Sequence, residues 1–191
     1  MHKIILASKS PRRKELLELM GLEFAIMSKS IPEIIADDNP PLGVSQLALE
    51  KAQAVVNELE EGLVIGADTI VLLENKILGK PESSLQAKEM LSQLSGKEHQ
   101  VITGVAVIDV KSQKQVAVWE ETKVLFRQLT EETIDNYIGT GEPFDKAGAY
   151  GIQGKGGLLV SSINGCFFNV VGLPITRLAG ILEQDFGLKI L

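Results

Sequence analysis

Ile5-Leu6-Ala7-Ser8-Lys9-Ser10-Pro11-Arg12-Arg13-Lys14-Glu15-Leu16-Leu17 passes from strand to helix within a few residues. The apolar run ending at Ala7 reads as a strand. Ser10 is placed as a helix N-cap, and Pro11 falls at the first helical position, where its missing N–H costs nothing. Arg12 and Arg13 therefore occupy the first helical turn, where the positive end of the helix dipole repels cations. Free backbone N–H groups, the hydroxyls of Ser8 and Ser10 and two guanidinium forks together make an anion receiver. Two readings stand at this point: a phosphate seat, or a solvated first turn with stray basic residues.

Working outward, Leu16, Leu17 and Met20 form one apolar face, and Gly21 is placed to end the helix. Residues 22–27 read as a second strand, and 28–41 as a polar loop holding Glu33, Asp37 and Asp38. Val44, Leu47, Ala48, Val55 and Leu59 mark a long helix with Lys51 on the same stripe. A lysine there either snorkels its amine to solvent or points into a cleft. Residues 63–73 are nearly all apolar and read as a central strand, interrupted by Gly66-Ala67-Asp68-Thr69. A carboxylate inside such a run is costly to bury unpaired, so Asp68 has to meet a metal, a cation or a cleft. The alternative is a turn or bulge that bends at Gly66 and is capped by Asp68. The β-branched residues that follow leave little room for that turn, which favours a functional role.

Further along, Glu74-Asn75-Lys76 reads as a hairpin tip, and Gly79-Lys80-Pro81 follows a short return strand. Ser83 and Gln86 form a capping box before a helix carrying Ala87, Met90, Leu91 and Leu94, and Gly96 ends it. Residues 99–110 and 116–125 alternate as paired strands, and Thr130 caps a short helix with Ile134, Tyr137 and Ile138. From Gly141 to Gly157 six glycines accompany Asp145, Lys146, Gln153 and Lys155. That density suits close backbone approach to a ligand or a mobile loop. No Walker A pattern occurs. Residues 158–171 read as a final hairpin about Asn164-Gly165, and 174–186 as a closing helix. The fold expected is α/β with a mixed sheet flanked by helices, in a single domain over 1–191.

With 191 residues, 45% hydrophobic and 23% charged, the chain has the composition of a globular protein with a real core. A net charge of −6 argues against binding a nucleic-acid polymer, yet leaves room for a local basic cluster that takes a small phosphorylated ligand. No apolar run reaches membrane-spanning length, and no secretory apolar segment precedes Ser8, so a cytoplasmic protein without membrane association is expected. The single cysteine, Cys166, precludes an internal disulfide. His2 and His99 are too few for a His-rich metal site. A Ser-His-Asp or Cys-His site would need His99, which sits in Gly96-Lys97-Glu98-His99, read as a surface turn. The candidates that remain are cations (Arg12, Arg13, Lys51, Lys80, with Lys146 and Lys155 beside them), carboxylates (Glu33, Asp68, Asp145) and a glycine-rich loop. Several cations with a carboxylate point to phosphoryl transfer or hydrolysis.

At these same residues the sequence resembles the Maf family of nucleoside triphosphate pyrophosphatases. The resemblance rests on Ala7-Ser8-x-Ser10-Pro11-Arg12-Arg13-x-Glu15-Leu16-Leu17, Glu50-Lys51-Ala52, Gly66-Ala67-Asp68-Thr69-Ile70-Val71, Gly79-Lys80-Pro81, Leu94-Ser95-Gly96 with Thr103, and Asp145 through Gly154. It implies an inosine-triphosphatase-like fold of two lobes around a deep cleft. It also implies hydrolysis of a nucleoside triphosphate to the monophosphate and pyrophosphate, with a divalent cation, Mg²⁺ or Mn²⁺. By resemblance, Asp68 is the proton acceptor and a metal ligand, with Glu33 as a second acidic ligand. Arg12, Thr69 and Gln153 set substrate choice, while Arg13, Lys51 and Lys80 hold the polyphosphate, joined by Ser8 and Ser10 from the anion-receiver reading. The Ala-Tyr-Gly-Ile-Gln-Gly loop looks like the branch acting on dTTP and UTP. The alternatives are a house-cleaning hydrolase of modified or 7-methylated purine triphosphates and a nucleotide-binding regulator of cell division. A homodimer is implied by the family alone.

Overall fold

The computed structural model describes residues 3–35 and 39–191; His2, Asp37 and Asp38 lie outside the described residues. Strand β1 (Ile4–Leu6) leads into helix α1 (Pro11–Leu19), with Ser10 at the N-cap and Pro11 in the first turn. Ser10 gives no side-chain cap; instead its N–H donates to Ser8 Oγ at 3.2 Å. Leu16 and Leu17 anchor the helix on the core, and Gly21, with φ of 71°, turns the chain towards β2 (Phe24–Ile26). Strand β2 runs parallel to β1 (Ile4 opposite Phe24), and β3 (Leu63–Leu73) lies parallel on the other side (Ile4 opposite Leu63).

Helix α2 (Pro40–Val56) is capped by the Asn39 side chain, which accepts the Leu42 N–H at 3.3 Å. It buries Val44, Leu47, Ala48 and Val55 of the expected stripe, together with Ala52, while the helix ends at Val56, short of Leu59. Strand β3 runs unbroken through Gly66, Ala67, Asp68 and Thr69, so no turn or bulge interrupts it. After β3, Glu74 and Asn75 both take positive φ (50° and 66°), the signature of a type I′ hairpin, which pairs Leu73 with Lys76 in β4 (Lys76–Leu78).

Helix α3 (Ser84–Leu94) starts at the expected capping box. Ser83 Oγ accepts the Gln86 N–H at 3.2 Å, and Gln86 reaches back to the N–H of Glu82 at 2.6 Å. Strands β5 (Glu98–Asp109) and β6 (Gln115–Phe126) precede helix α4 (Glu131–Ile138), which Thr130 caps through the Thr133 N–H at 3.1 Å. The glycine-rich stretch winds as three 3₁₀ turns, Glu142–Asp145, Ala147–Ala149 and Gly154–Leu159. Strand β7 (Val160–Asn164), helix α5 (Phe167–Val171) and helix α6 (Ile175–Phe186) complete the chain.

Among the described residues seven strands form one mixed sheet in the order β2-β1-β3-β5-β6-β7, with β4 on β3. The chain divides into two compact units. The first comprises Met1–Asp68, Thr103–Glu120 and Gly172–Leu191, and its core includes Ile5, Ala48, Ala52, Val55, Val64, Ala106 and Ile108. The second comprises Thr69–Ile102 and Glu121–Val171, and is built on Val71, Leu91, Leu94, Val124, Phe126, Tyr150 and Leu159. No helix among the described residues is long and apolar enough to cross a membrane.

Two expectations are corrected. Residues 166–171 do not return as the second strand of a hairpin; Phe167–Val171 is α5. Asn164 does not take the positive φ that a type I′ Asn-Gly turn requires. Thr122 Oγ1 both accepts the Cys166 N–H and donates to the Cys166 carbonyl, each at 3.0 Å, which pins the chain as it leaves β7. The helix then turns Asn169 inward, where its amide donates to Val101 O and Thr122 Oγ1, each at 2.9 Å. His99 is likewise not in a surface turn. It is 2% exposed on β5, with its Nε2 2.7 Å from the Tyr150 hydroxyl and its ring edge-on to Phe126. The strand begins at Glu98, so alternation carries His99 inward with Val101 and Thr103.

Candidate active site

Two glycines decide where α2 can lie. A Cβ on Gly66 would stand 2.1 Å from the Ala48 carbonyl oxygen, and one on Gly104 2.2 Å from that of Val44. Only bare backbone on β3 and β5 lets the helix come so near. Side chains two apart on a strand share a face, so Asp68 projects to the same side of β3 as Gly66, the side that α2 covers. Lys51, one residue from the Ala52 that packs over Gly66, meets it there.

The Lys51 ammonium is the centre of the cluster. Its Nζ lies 2.5 Å from Asp68 Oδ1 and 2.6 Å from Glu33 Oε1. The side chains of Lys51 and Asp68 are 14% and 13% exposed, whereas Glu33 is 50% exposed. The carboxylate within the apolar strand has thus met a cation, and the lysine on the apolar stripe has turned to two carboxylates instead of bulk water. Burial on this scale strengthens the attraction well beyond that of a surface pair.

The loop that opened the sequence supplies the other cations. Arg13 is half-buried; its Nε donates to the Gly172 carbonyl at 2.9 Å and its Nη1 to Ser8 Oγ at 3.3 Å. Burial pushes the Arg13 guanidinium below its ordinary value, the Asp68 charge opposes that shift, and neighbouring Arg12 adds to it. Ser8, 8% exposed, therefore accepts from both Ser10 N–H and Arg13, and holds loop and guanidinium together. Arg12 is half-buried in the same first turn. The first unit thus gathers Ser8, Ser10, Arg12, Arg13, Glu33, Lys51 and Asp68: three cations and two carboxylates.

Thr69, Lys80 and Gln153 belong to the second unit. Thr69 is half-buried on β3. Lys80 is exposed beside a depression of about 210 Å³ that Lys76, Gln86, Glu89 and Met90 also line. Gln153 is exposed and extended (φ −81°, ψ 161°), just ahead of the last 3₁₀ turn. Lys146 is held by Asp145 and by the Glu142 carbonyl, each at 2.6 Å.

Asp68 and Glu33 offer hard oxygen donors that converge on one ammonium, a donor set suited to Mg²⁺ or Mn²⁺. Among the described residues no group of three or more His, Cys, Asp or Glu gathers as a ready-made cage. Two carboxylates completed by phosphate oxygens and water is the usual Mg²⁺ arrangement at nucleotide sites. Sequence reasoning missed the Gly172 carbonyl as a partner of Arg13, and the contacts of Tyr137 and Glu142 described below. None of these has a local pattern that could reveal it.

Comparison with known proteins finds relatives along nearly the whole chain. The family model described as "Maf-like protein" matches residues 3–185. A dTTP/UTP pyrophosphatase of Thermoanaerobacter sp. (strain X514) is 49% identical over 190 residues, covering 99% of this chain and 100% of the relative. One from Clostridioides difficile (strain 630) is 50% identical, covering 98% and 97%. One from Bacillus cereus (strain ATCC 14579) is 54% identical, covering 96% of each chain. Among solved structures, a nucleoside-triphosphatase / dITP/XTP pyrophosphatase from Mycobacterium abscessus aligns at 16% identity with a TM-score of 0.47, over 66% of this chain and 75% of that one.

Proposed function

This chain belongs to the Maf-like protein family, and from that premise we propose that it hydrolyses dTTP and UTP to the nucleoside monophosphate and pyrophosphate. Support comes from relatives of that name at about half identity along nearly the whole length. The observation that carries the chemistry is the Lys51 ammonium held 2.5 Å from Asp68 and 2.6 Å from Glu33. It joins a half-buried strand carboxylate to a group of cations, which is what attack on a polyanion requires. We read both units as one functional domain, because the family match runs through each.

In this reading Asp68 takes a proton from water as its oxygen bonds to the α-phosphorus. The bond from that phosphorus to the bridging oxygen breaks, and pyrophosphate leaves with the electron pair. Arg13 and Lys51 offset the charge that grows on the leaving group. Asp68 and Glu33 would hold the divalent cation, which supplies Lewis-acid stabilisation of phosphate charge. Arg12, Thr69 and Gln153 set substrate choice, while Ser8 and Ser10 shape the arginine loop and Lys80 adds a further phosphate contact. The Gln153 amide offers a donor and an acceptor, the complement of the N3–H and O4 edge of thymine or uracil. Its work belongs where such triphosphates are made and used, the cytoplasm.

The test is pyrophosphate release from a panel of canonical and modified triphosphates, with product identification, with Mg²⁺ or Mn²⁺ and with chelator. dTTP and UTP should lead the panel. Asp68→Asn should keep the fold by circular dichroism and lose at least about 10²-fold in kcat. Orthophosphate as product, or wild-type turnover in that variant, would sink the proposal. Gln153→Ala should cost about tenfold in preference among bases, the worth of one or two hydrogen bonds, before activity as a whole is lost. An equal loss on every base would remove the role given to Gln153.

A further inference from the structure

The glycine-rich stretch is tied down by two side chains that the proposed chemistry leaves without a role. Tyr137, on α4, is 4% exposed, and its hydroxyl accepts the Gly151 N–H at 3.3 Å. The Glu142 carboxylate accepts two further backbone donors, Lys155 N–H through Oε1 and Gly156 N–H through Oε2, each at 3.3 Å. Tyr137 therefore holds the backbone before Gln153, and Glu142 holds it after. Gly151 and Lys155 each lie two residues from Gln153, one on either side.

The glycines around Gln153 fit these two contacts. A Cβ on Gly156 would stand 2.1 Å from the Gly151 carbonyl oxygen and 2.7 Å from the Tyr137 hydroxyl. One on Gly154, where φ is 66°, would stand 3.1 Å from Glu142 Oε1. The backbone closes on itself and on the carboxylate at the positions where side chains are missing. Burial pushes the Tyr137 hydroxyl up to about 12, so it stays neutral across the physiological range. Each contact is long on its own, but together they hold the backbone on both sides of Gln153.

We propose that Tyr137 and Glu142 are positioning residues for base selection, fixing the backbone on both sides of Gln153 so that its amide is presented in one orientation. This rests on the reading of Gln153 as a residue that sets base choice. Both residues act on the loop backbone, so their loss should change discrimination more than turnover. Fixed donors and acceptors discriminate because they cannot relax to suit the wrong partner.

The experiment uses the full chain as Tyr137→Phe, Glu142→Gln, Gln153→Ala and the double variant Tyr137→Phe/Gln153→Ala. Tyr137→Phe keeps the buried ring and removes only the hydroxyl; Glu142→Gln keeps the volume and removes one acceptor oxygen. Two readouts are taken: kcat/KM for dTTP, UTP, dCTP and dATP, and amide hydrogen exchange at Gly151, Lys155 and Gly156. Tyr137→Phe should raise exchange at Gly151, and Glu142→Gln exchange at Lys155 or Gly156, each about fivefold, the loss of one net hydrogen bond. Each should lower the preference for dTTP over dCTP by about threefold to tenfold, while kcat on dTTP stays within about twofold. In the Gln153→Ala background, Tyr137→Phe should change the base preference no further. Faster exchange with unchanged preference, while Gln153→Ala alone does change it, would overturn the positioning role. Unchanged exchange would overturn the clamp itself. If Gln153→Ala leaves preference untouched, the role of Gln153 fails, and the proposal falls with it for that separate reason.

Discussion

Two ionisable side chains, Lys51 and His99, carry the most physical content, and their surroundings are opposite. Lys51 is met by two carboxylates at 2.5 and 2.6 Å. His99 has no such partner among its aromatic neighbours, and desolvation lowers it from 6.5 to about 4. The folded state thus binds a proton at His99 less readily than the unfolded chain does. The resulting stability is fully present above pH 6.5 and is lost as pH falls from 6.5 through about 4. Its full size is about 3 kcal/mol, read in urea midpoints taken at pH 7, 5.5 and 4. His99→Gln, which does not titrate, should flatten that slope by up to one proton. An unchanged slope would mean that the fold does not lower the pKa of His99 at all. Asp68 was conspicuous in the sequence, because a carboxylate in an apolar strand has to be explained. His99 was hidden, because its fate depended on one residue of register at the start of β5.

At the scale of elements, the placing of α2 against the sheet governs the chemistry. Periodicity alone marks α2, β3 and α3, and cap chemistry fixes the start of α3 at Ser83 and of α4 at Thr130. How closely α2 approaches β3 is invisible to periodicity and depends on Gly66 and Gly104. Gly66→Ala should cost about 2–3 kcal/mol in urea denaturation, because the backbone of α2 has to move out of the way of a methyl group. The same shift should draw Lys51 away from Asp68, so kcat should fall with stability. Gly180, inside α6, has nothing within 4 Å of its would-be Cβ, and Gly180→Ala should add about 0.5–1 kcal/mol. If the two substitutions had the same sign, close approach would not be the reason for Gly66. The Phe167–Val171 helix shows the opposite limit. Its aromatic and β-branched residues favour a strand, but hydrogen bonds from Thr122 and Asn169 override that propensity.

At the scale of the molecule, what remained illegible in the sequence is what depends on distant partners. Arg13 and Gly172 are 159 positions apart, and no spacing rule joins them. The basic loop, the strand carboxylate and the glycine-rich stretch were each visible locally; the side chains and carbonyls that lock them in place were not. The chain passes from one unit to the other four times, at Asp68/Thr69, Ile102/Thr103, Glu120/Glu121 and Val171/Gly172. No single cut therefore yields either unit whole. On the ribosome this sets an order. Every residue of the second unit has been made once Val171 is added, while the first unit, begun earlier, still lacks Gly172–Leu191. Those last residues bring the carbonyl that holds Arg13 and the α6 side chains Leu178 and Leu182, both fully buried. The arginine loop, made early, waits for a segment made late, so a product stalled before Gly172 would leave that loop without its anchor.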